Sequence, residues 1–149
     1  MKKFILLLTV FCAGMVAKAQ TAQDVAGVYK RILVNNDSNT IIYILDLKAD
    51  GTFQFHSYSK IDLWSPGANR FSERNSYGQG TWSLDKKVVF FDASSSDFDD
   101  KFTLDFGASK ARFISKHPRD KSDKVVETAL QFYESDVSWM ASVKILKIN

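Results

Sequence analysis

The sequence predicts an all-β protein, an antiparallel up-and-down β-barrel of about eight or nine strands. Aromatic and β-branched residues dominate a series of short apolar runs, which favours strands. The connections between these runs are mostly short and rich in turn residues, and no apolar stripe of helical period is long enough for a core helix. Closure into a barrel would remove the sheet edges that so many Phe and Ile residues could otherwise offer for aggregation.

Residues 1–19 are predicted to be a signal peptide rather than part of the fold. Lys2 and Lys3 precede an apolar run at 4–16 that is too short to span a bilayer, and Ala17-Lys18-Ala19 has the small-x-small pattern of a cleavage site. We therefore expect an exported protein, periplasmic or secreted after cleavage near Ala19. Residues 20–149 would form one barrel domain with no integral membrane span.

The charge balance argues against nucleic acid as a partner. The chain has 20 Lys and Arg against 17 Asp and Glu, and three of the basic residues lie in the predicted signal peptide. The mature domain is therefore formally neutral. The single cysteine, Cys12, leaves with the signal peptide, so no disulfide is expected. A lipid anchor on Cys12 is disfavoured because the bulky Phe11 precedes it.

The first three strands are predicted at 27–34, 40–48 and 52–59. In the third strand, Phe53 and Phe55 alternate with polar residues, so the Phe face is expected to point to the core. A two-residue loop at Asp50-Gly51 would pair Lys48 with Phe53 and bring a charge to that face. A three-residue loop, 49–51, pairs Leu47 with Phe53 and keeps each face consistent, so we predict the longer loop.

Residues 60–76 are predicted to be the longest irregular segment, and they contain Trp64 and Arg70. Long loops of this kind often act as lids or binding loops, although a surface loop packing its own aromatics is the simpler interpretation. Further strands are predicted at 77–84, 88–92, 101–106, 109–116, around 129–133 and at 143–148. Residues 125–135 are also compatible with a short helix.

Several short motifs resemble one family of exported proteins. These are GVY at 27–29, LKADGTF at 47–53, GTWSL at 80–84 and FYESD at 132–136. Together they resemble the small lipocalin-like proteins exported by Bacteroidetes, with Tyr29 standing where lipocalins have Trp. The resemblance implies an up-and-down barrel with a central cavity, and it transfers no catalytic residues to this chain.

A barrel of about eight strands is either filled by its own side chains or holds one small ligand. If a cavity exists, four aromatic residues on predicted strands are expected to line it, and two residues of the long loop to cap it. The predicted wall is Tyr29, Phe55, Tyr77 and Trp82, and the predicted cap is Trp64 and Arg70. Tyr77 and Trp82 have opposite parity, so both can face inward only if a bulge intervenes near Gly78 or Gly80.

No catalytic or metal site is predicted. His56 and His117 lie on separate elements without ligand spacing around them. An enzyme would have to use Asp46, His56 and Tyr58, which the preferred hairpin register turns outward. We therefore expect a binding module for a small hydrophobic or amphipathic ligand, without a cofactor. The alternative is a cell-envelope interaction or structural module that takes no small ligand.

Overall fold

The computed structural model describes residues 21–36, 38–63 and 71–148. The predicted signal peptide and two of the predicted site residues, Trp64 and Arg70, lie outside these ranges. The described elements are a short helix α1 (Ala22–Val25) and eight strands: β1 (Gly27–Asn35), β2 (Asn39–Leu47), β3 (Thr52–Asp62), β4 (Phe71–Asp85), β5 (Val88–Asp92), β6 (Lys110–Ile114), β7 (Ala129–Glu134) and β8 (Lys144–Ile148).

The eight strands form a closed barrel in sequence order, which confirms the predicted fold class. Each strand pairs antiparallel with the next, and β8 closes the barrel against β1. Strands β1 to β4 are 9 to 15 residues long, whereas β5 to β8 have only 5 or 6. One side of the barrel is therefore taller than the other. The end where β1 begins is called the lower end here, and the opposite end the upper end.

The hairpin between β2 and β3 has the predicted three-residue loop. Leu47 pairs with Phe53 and Leu45 with Phe55, as the face argument required. Gly51 has a φ of +86°, a left-handed conformation that favours glycine, and its N–H donates to the Lys48 carbonyl at 3.1 Å. The core side of the hairpin is thus the Phe53 and Phe55 side.

The prediction of an irregular segment at 60–76 is wrong at both of its boundaries. Strand β3 continues to Asp62 and β4 already begins at Phe71, and the two strands pair without interruption over eleven residue pairs. The added part of β4 is rich in Ser, Asn, Arg and Glu, which have low strand propensity. Ladder hydrogen bonds to β3 override that propensity, because strand preference depends strongly on the neighbouring strand.

The strand predicted at 101–106 is also absent. This segment makes one parallel bridge, between Phe102 and Tyr77, and the N–H groups of Thr103 and Leu104 both approach the Tyr77 carbonyl, at 3.1 and 2.9 Å. The apolar alternation in the segment therefore reflects packing beside β4 rather than membership of the ladder. It covers the upper part of β4 where the short β5 has ended.

The register of β1 to β4 stacks the inward-facing residues in rows. The two lower rows are Gly27, Leu47, Phe53 and Gly80, followed by Tyr29, Leu45, Phe55 and Gly78; the two upper rows are Arg31, Tyr43, Ser57 and Ser76, followed by Ile41, Ser59 and Arg74. Opposite residues of an antiparallel pair share a face, so each row points to the barrel interior. The interior changes from apolar and small residues below to largely polar residues above.

The lower rows are filled by aromatic packing. Phe106 inserts among Phe53, Phe55 and Phe132, with ring centroids 5.7, 4.8 and 6.4 Å from its own. Helix α1 packs across the lower end, where Val25 is buried and its carbonyl accepts the hydroxyl of Tyr29. The lower barrel interior is thus a core packed with aromatic rings.

Candidate functional site

A cavity of about 240 Å³ opens at the upper end, directly above this packed core. Its lining combines apolar and polar side chains: Ile41, Tyr43, Ser57, Ser59, Ile61, Arg74, Ser76, Leu104 and Trp139. Ser57 and Ser59 lie at inward positions of β3, the strand that carries Phe53 and Phe55 in the lower rows. Their small volume leaves the upper interior unfilled, and the short strands β5 to β8 provide no opposing wall at that height.

One side of the cavity is aromatic. Trp139, on the turn between β7 and β8, places its ring 4.8 Å from that of Tyr43 and 5.9 Å from that of Phe55. The Trp139 side chain is 40% exposed and therefore reaches solvent at the cavity mouth. Burial raises the pKa of the Tyr43 hydroxyl above its ordinary value.

The opposite side is polar and basic. Arg74 lies at an inward position of β4, opposite Ser59 on β3 and two residues from Ser76. Within the described ranges, the Arg74 guanidinium forms no ion pair. It is therefore an uncompensated positive charge beside a cavity that also offers serine hydroxyls.

A second arginine faces the same interior from β1. Arg31 pairs in register with Tyr43, which places its side chain on the inner face in the lower of the two polar rows. Its Nε atom is buried and finds no hydrogen-bond partner among residues 21–36, 38–63 and 71–148. A buried donor without a partner is rare in native proteins and calls for an explanation.

No carboxylate faces the cavity from β1 to β4 in the described part of these strands. Asp46 and Glu73 pair with Gln54 and Lys60 in the outward register, and Asp62 likewise alternates with inward Ile61. Glu73 also approaches Lys60, with Nζ and Oε1 3.7 Å apart on the outside of the barrel. The cavity is consequently positive in character, since Arg74 lines it and the described part of these strands places no acidic side chain on the inner face.

The four predicted wall residues lie in three different places: under the cavity, at the lower end of the barrel, and on its outer surface. Phe55 lies immediately under the cavity, against Tyr43 and Trp139. Tyr29 and Trp82 are buried at the lower end, where the Trp82 Nε1 donates to the Lys48 carbonyl at 2.9 Å. Neither of these two lower residues lines the cavity.

Tyr77 lies on the outside of the barrel. Strand β4 has no bulge in its pairing with β3, so the parity difference between Tyr77 and Trp82 is kept. The Tyr77 ring stacks on His56 at 4.6 Å, outside the cavity. The expectation that Tyr77 faces inward is therefore not met, because the bulge that it required does not occur.

The polar residues that line the cavity were not among the predicted site residues. Ser57 and Ser59 continue the parity of Phe53 and Phe55, and the same period-two pattern leads back from Gly78 to Ser76 and Arg74. This pattern could have been followed through the polar residues. The predicted strand 52–59 includes both β3 serines, but the predicted strand 77–84 begins after Arg74 and Ser76, because the segment before Tyr77 has little apolar content.

The outward polar residues form an ordinary surface. The His56 Nε2 lies 2.8 Å from the amide oxygen of Asn75, and Asp46 is paired with Gln54. The residues that the structure describes contain no group of three or more His, Cys, Asp or Glu that could hold a metal ion. None of the described helices has the length and apolar character needed to cross a membrane.

Comparison with known proteins adds no family to these observations: no protein-family model, curated protein or solved structure matches the chain.

Proposed function

We propose that this barrel is an exported, lipocalin-like binding module for a small amphipathic molecule held in the upper cavity. The main support for this proposal is that the inward-facing residues change from apolar to polar at the level of that cavity. Ligand sites are typically concave, with an apolar wall and a few convergent polar groups that orient the ligand. The upper cavity combines these features, since Tyr43 and Trp139 lie on one side and Arg74 on another.

The dimensions and surroundings of the cavity set the kind of ligand. At about 240 Å³ it is smaller than the roughly 300 Å³ at which drug-sized pockets begin, so the ligand is a small molecule with a short apolar part. That apolar part would pack against Leu104, Tyr43 and Trp139, which lie next to the aromatic core. The pattern of residues 1–19 supports binding after export, in the periplasm or outside the cell.

Calorimetric titration with octanoate and octanol, with Trp fluorescence as a second readout, tests this proposal. Ser57→Leu would fill the cavity from its polar row, and we expect it to weaken binding at least about ten-fold, because the ligand loses the space it occupies. Ser83→Leu is the matched control, since Ser83 is exposed on the outer side of β4. It should leave binding unchanged.

Two results would contradict the proposal. One is that neither amphiphile binds the wild-type protein. The other is that Ser57→Leu and Ser83→Leu, both folded by circular dichroism, bind as tightly as the wild type. Failure of this kind would favour the alternative module that acts through protein contacts and takes no small ligand.

A further inference from the structure

We propose that the polar end of the ligand is an oxyanion, a carboxylate or a sulfate, bound by Arg74 and favoured by the positive charge of Arg31 on the same inner face. This inference rests on the proposed function and specifies the chemical class of its ligand. It depends on Arg74 in the cavity lining, on the absence of inward-facing carboxylates in the described part of β1 to β4, and on the serine hydroxyls of the same lining.

Arg31 places a second, partly buried guanidinium on the inner face of the barrel. A guanidinium donor that is removed from water without a partner costs stability, and an ionised group costs more than a neutral one. The Nε of Arg31 is in this state in the described structure. Arg31 is not among the residues that line the cavity, so it would act on a bound oxyanion through its charge rather than through a direct hydrogen bond.

Arg74 supplies the direct contact with the proposed oxyanion. Arginine presents its donors in a planar fork that matches carboxylate, phosphate and sulfate groups. Arg74 lines the cavity directly, and Ser59 and Ser76 can add hydroxyl donors within the same lining. All of these groups are donors to an anion.

The distribution of charge on the cavity walls also favours an anionic ligand. On the described residues of β1 to β4, the acidic side chains occupy outward positions, and Glu73 is near Lys60 rather than Arg74. A cationic ligand would therefore meet the Arg74 guanidinium, with the charge of Arg31 on the same inner face, and no compensating carboxylate on these strands. The same electrostatic field that favours an anion disfavours an amine.

The test compares four probes with one chain length: octanoate, octyl sulfate, octanol and octylammonium. Calorimetric titration of the wild-type protein should show octanoate or octyl sulfate binding about ten-fold more tightly than octanol, because a charge-assisted hydrogen bond at a half-open site is worth about that factor. Octylammonium should bind more weakly than octanol. The relative affinity of the two anions distinguishes a carboxylate from a sulfate site.

Arg74→Gln should abolish the preference for the anion over octanol, since the charge-dependent contact is removed. Arg31→Gln should reduce the same preference. Arg112→Gln is the matched control, because Arg112 is exposed on β6 and alternates with the inward-facing Ala111 and Phe113. It should change neither affinity.

The outcomes separate this inference from the function on which it rests. Equal binding of octanol and both anions by the wild type would overturn the oxyanion site and leave the binding function standing. An anion preference that survives Arg74→Gln, or that Arg112→Gln removes equally, would also overturn it. If none of the four probes binds, the proposed function fails and this inference fails with it.

Discussion

At the scale of single residues, the Phe106 ring occupies the space that a side chain at position 78 would need. A Cβ atom at Gly78 would lie 2.8 Å from Cδ2 of the Phe106 ring and 3.1 Å from the carbonyl oxygen of Leu104. The glycine is therefore needed because another part of the chain occupies the space of its side chain. This contact explains why a glycine faces the core in the same row as Phe55.

We predict that Gly78→Ala lowers the free energy of unfolding by about 1–3 kcal/mol, the usual cost of overpacking a dense core. Phe106→Leu should lower the free energy of unfolding less in the Gly78→Ala background than in the wild type, because the smaller side chain relieves the contact with the added Cβ atom. Urea denaturation of the four proteins measures this coupling. Gly107→Ala is the control, since its Cβ would approach only the flexible Asp105 carboxylate closely. Additive effects at Gly78 and Phe106 would contradict the packing account.

Tyr29 shows the effect of burial on a titratable group. Its side chain is fully buried, its hydroxyl donates to the Val25 carbonyl, and desolvation raises its pKa above the ordinary value. The neutral phenol is thus the form that the fold holds. Ionisation would place a charge under α1 and remove the donor of this hydrogen bond.

We predict that stability decreases as the pH rises above about 10, the ordinary pKa of tyrosine. Above that pH the unfolded chain loses the Tyr29 proton while the folded protein retains it, so the free energy of unfolding falls by about 1.4 kcal/mol per pH unit for this group. Below that pH the contribution is fully present. Tyr29→Phe should flatten the alkaline slope, and Tyr133→Phe, at an exposed tyrosine, should not. Urea denaturation from about pH 7 to 11 measures both slopes, and an unchanged slope for Tyr29→Phe would refute the assignment.

At the scale of elements, unequal strand length creates the cavity. Strands β3 and β4 pair over eleven residues on each side, but β4 pairs with β5 over only five. The lower part of the long hairpin packs on the aromatic core, whereas its upper part packs beside the cavity. Local stability should therefore differ along a single pair of strands, since buried apolar contacts are what keep backbone hydrogen bonds from opening.

We predict slower amide hydrogen exchange at Leu45 and Phe55 than at Ser59 and Ile61, although all four lie in regular strands. Addition of a binding amphiphile should slow exchange of the upper pair and leave the lower pair unchanged, because only the upper rows line the cavity. Exchange measured residue by residue with and without octanoate tests this. Uniform protection along β3 would contradict the proposed division of the barrel.

At the scale of the whole molecule, the barrel has two parts of different character. The lower part is closed by α1 and filled by side chains such as Phe53 and Phe132, and it provides stability. The upper part has one tall wall of β1 to β4, and the opposite side is covered by the segments that follow β5 and β7. Rigid support below and an unfilled polar interior above are the arrangement expected of a site built on a packed scaffold.

The sequence by itself determined the local features of this fold. Alternation at Phe53 and Phe55 identified the core face, and the same alternation required a three-residue loop ending at Gly51, because a shift of one residue would turn every side chain to the other face. Closure of the short strands into a barrel was predicted from the series of apolar runs, with about eight or nine strands, and the described residues form eight. These conclusions depend on neighbours along the chain, which sequence periodicity reports directly.

Only the tertiary structure decided the features that depend on distant contacts. Polar residues such as Arg74 and Ser76 become strand residues because β3 pairs with them, and residues 101–106 remain outside the ladder because they pack beside an already formed strand. Tyr77 points outward because no bulge interrupts β4. The physical reason is common to all three: strand membership and facing are set by the hydrogen-bonding neighbour, whose identity is not encoded in the local pattern.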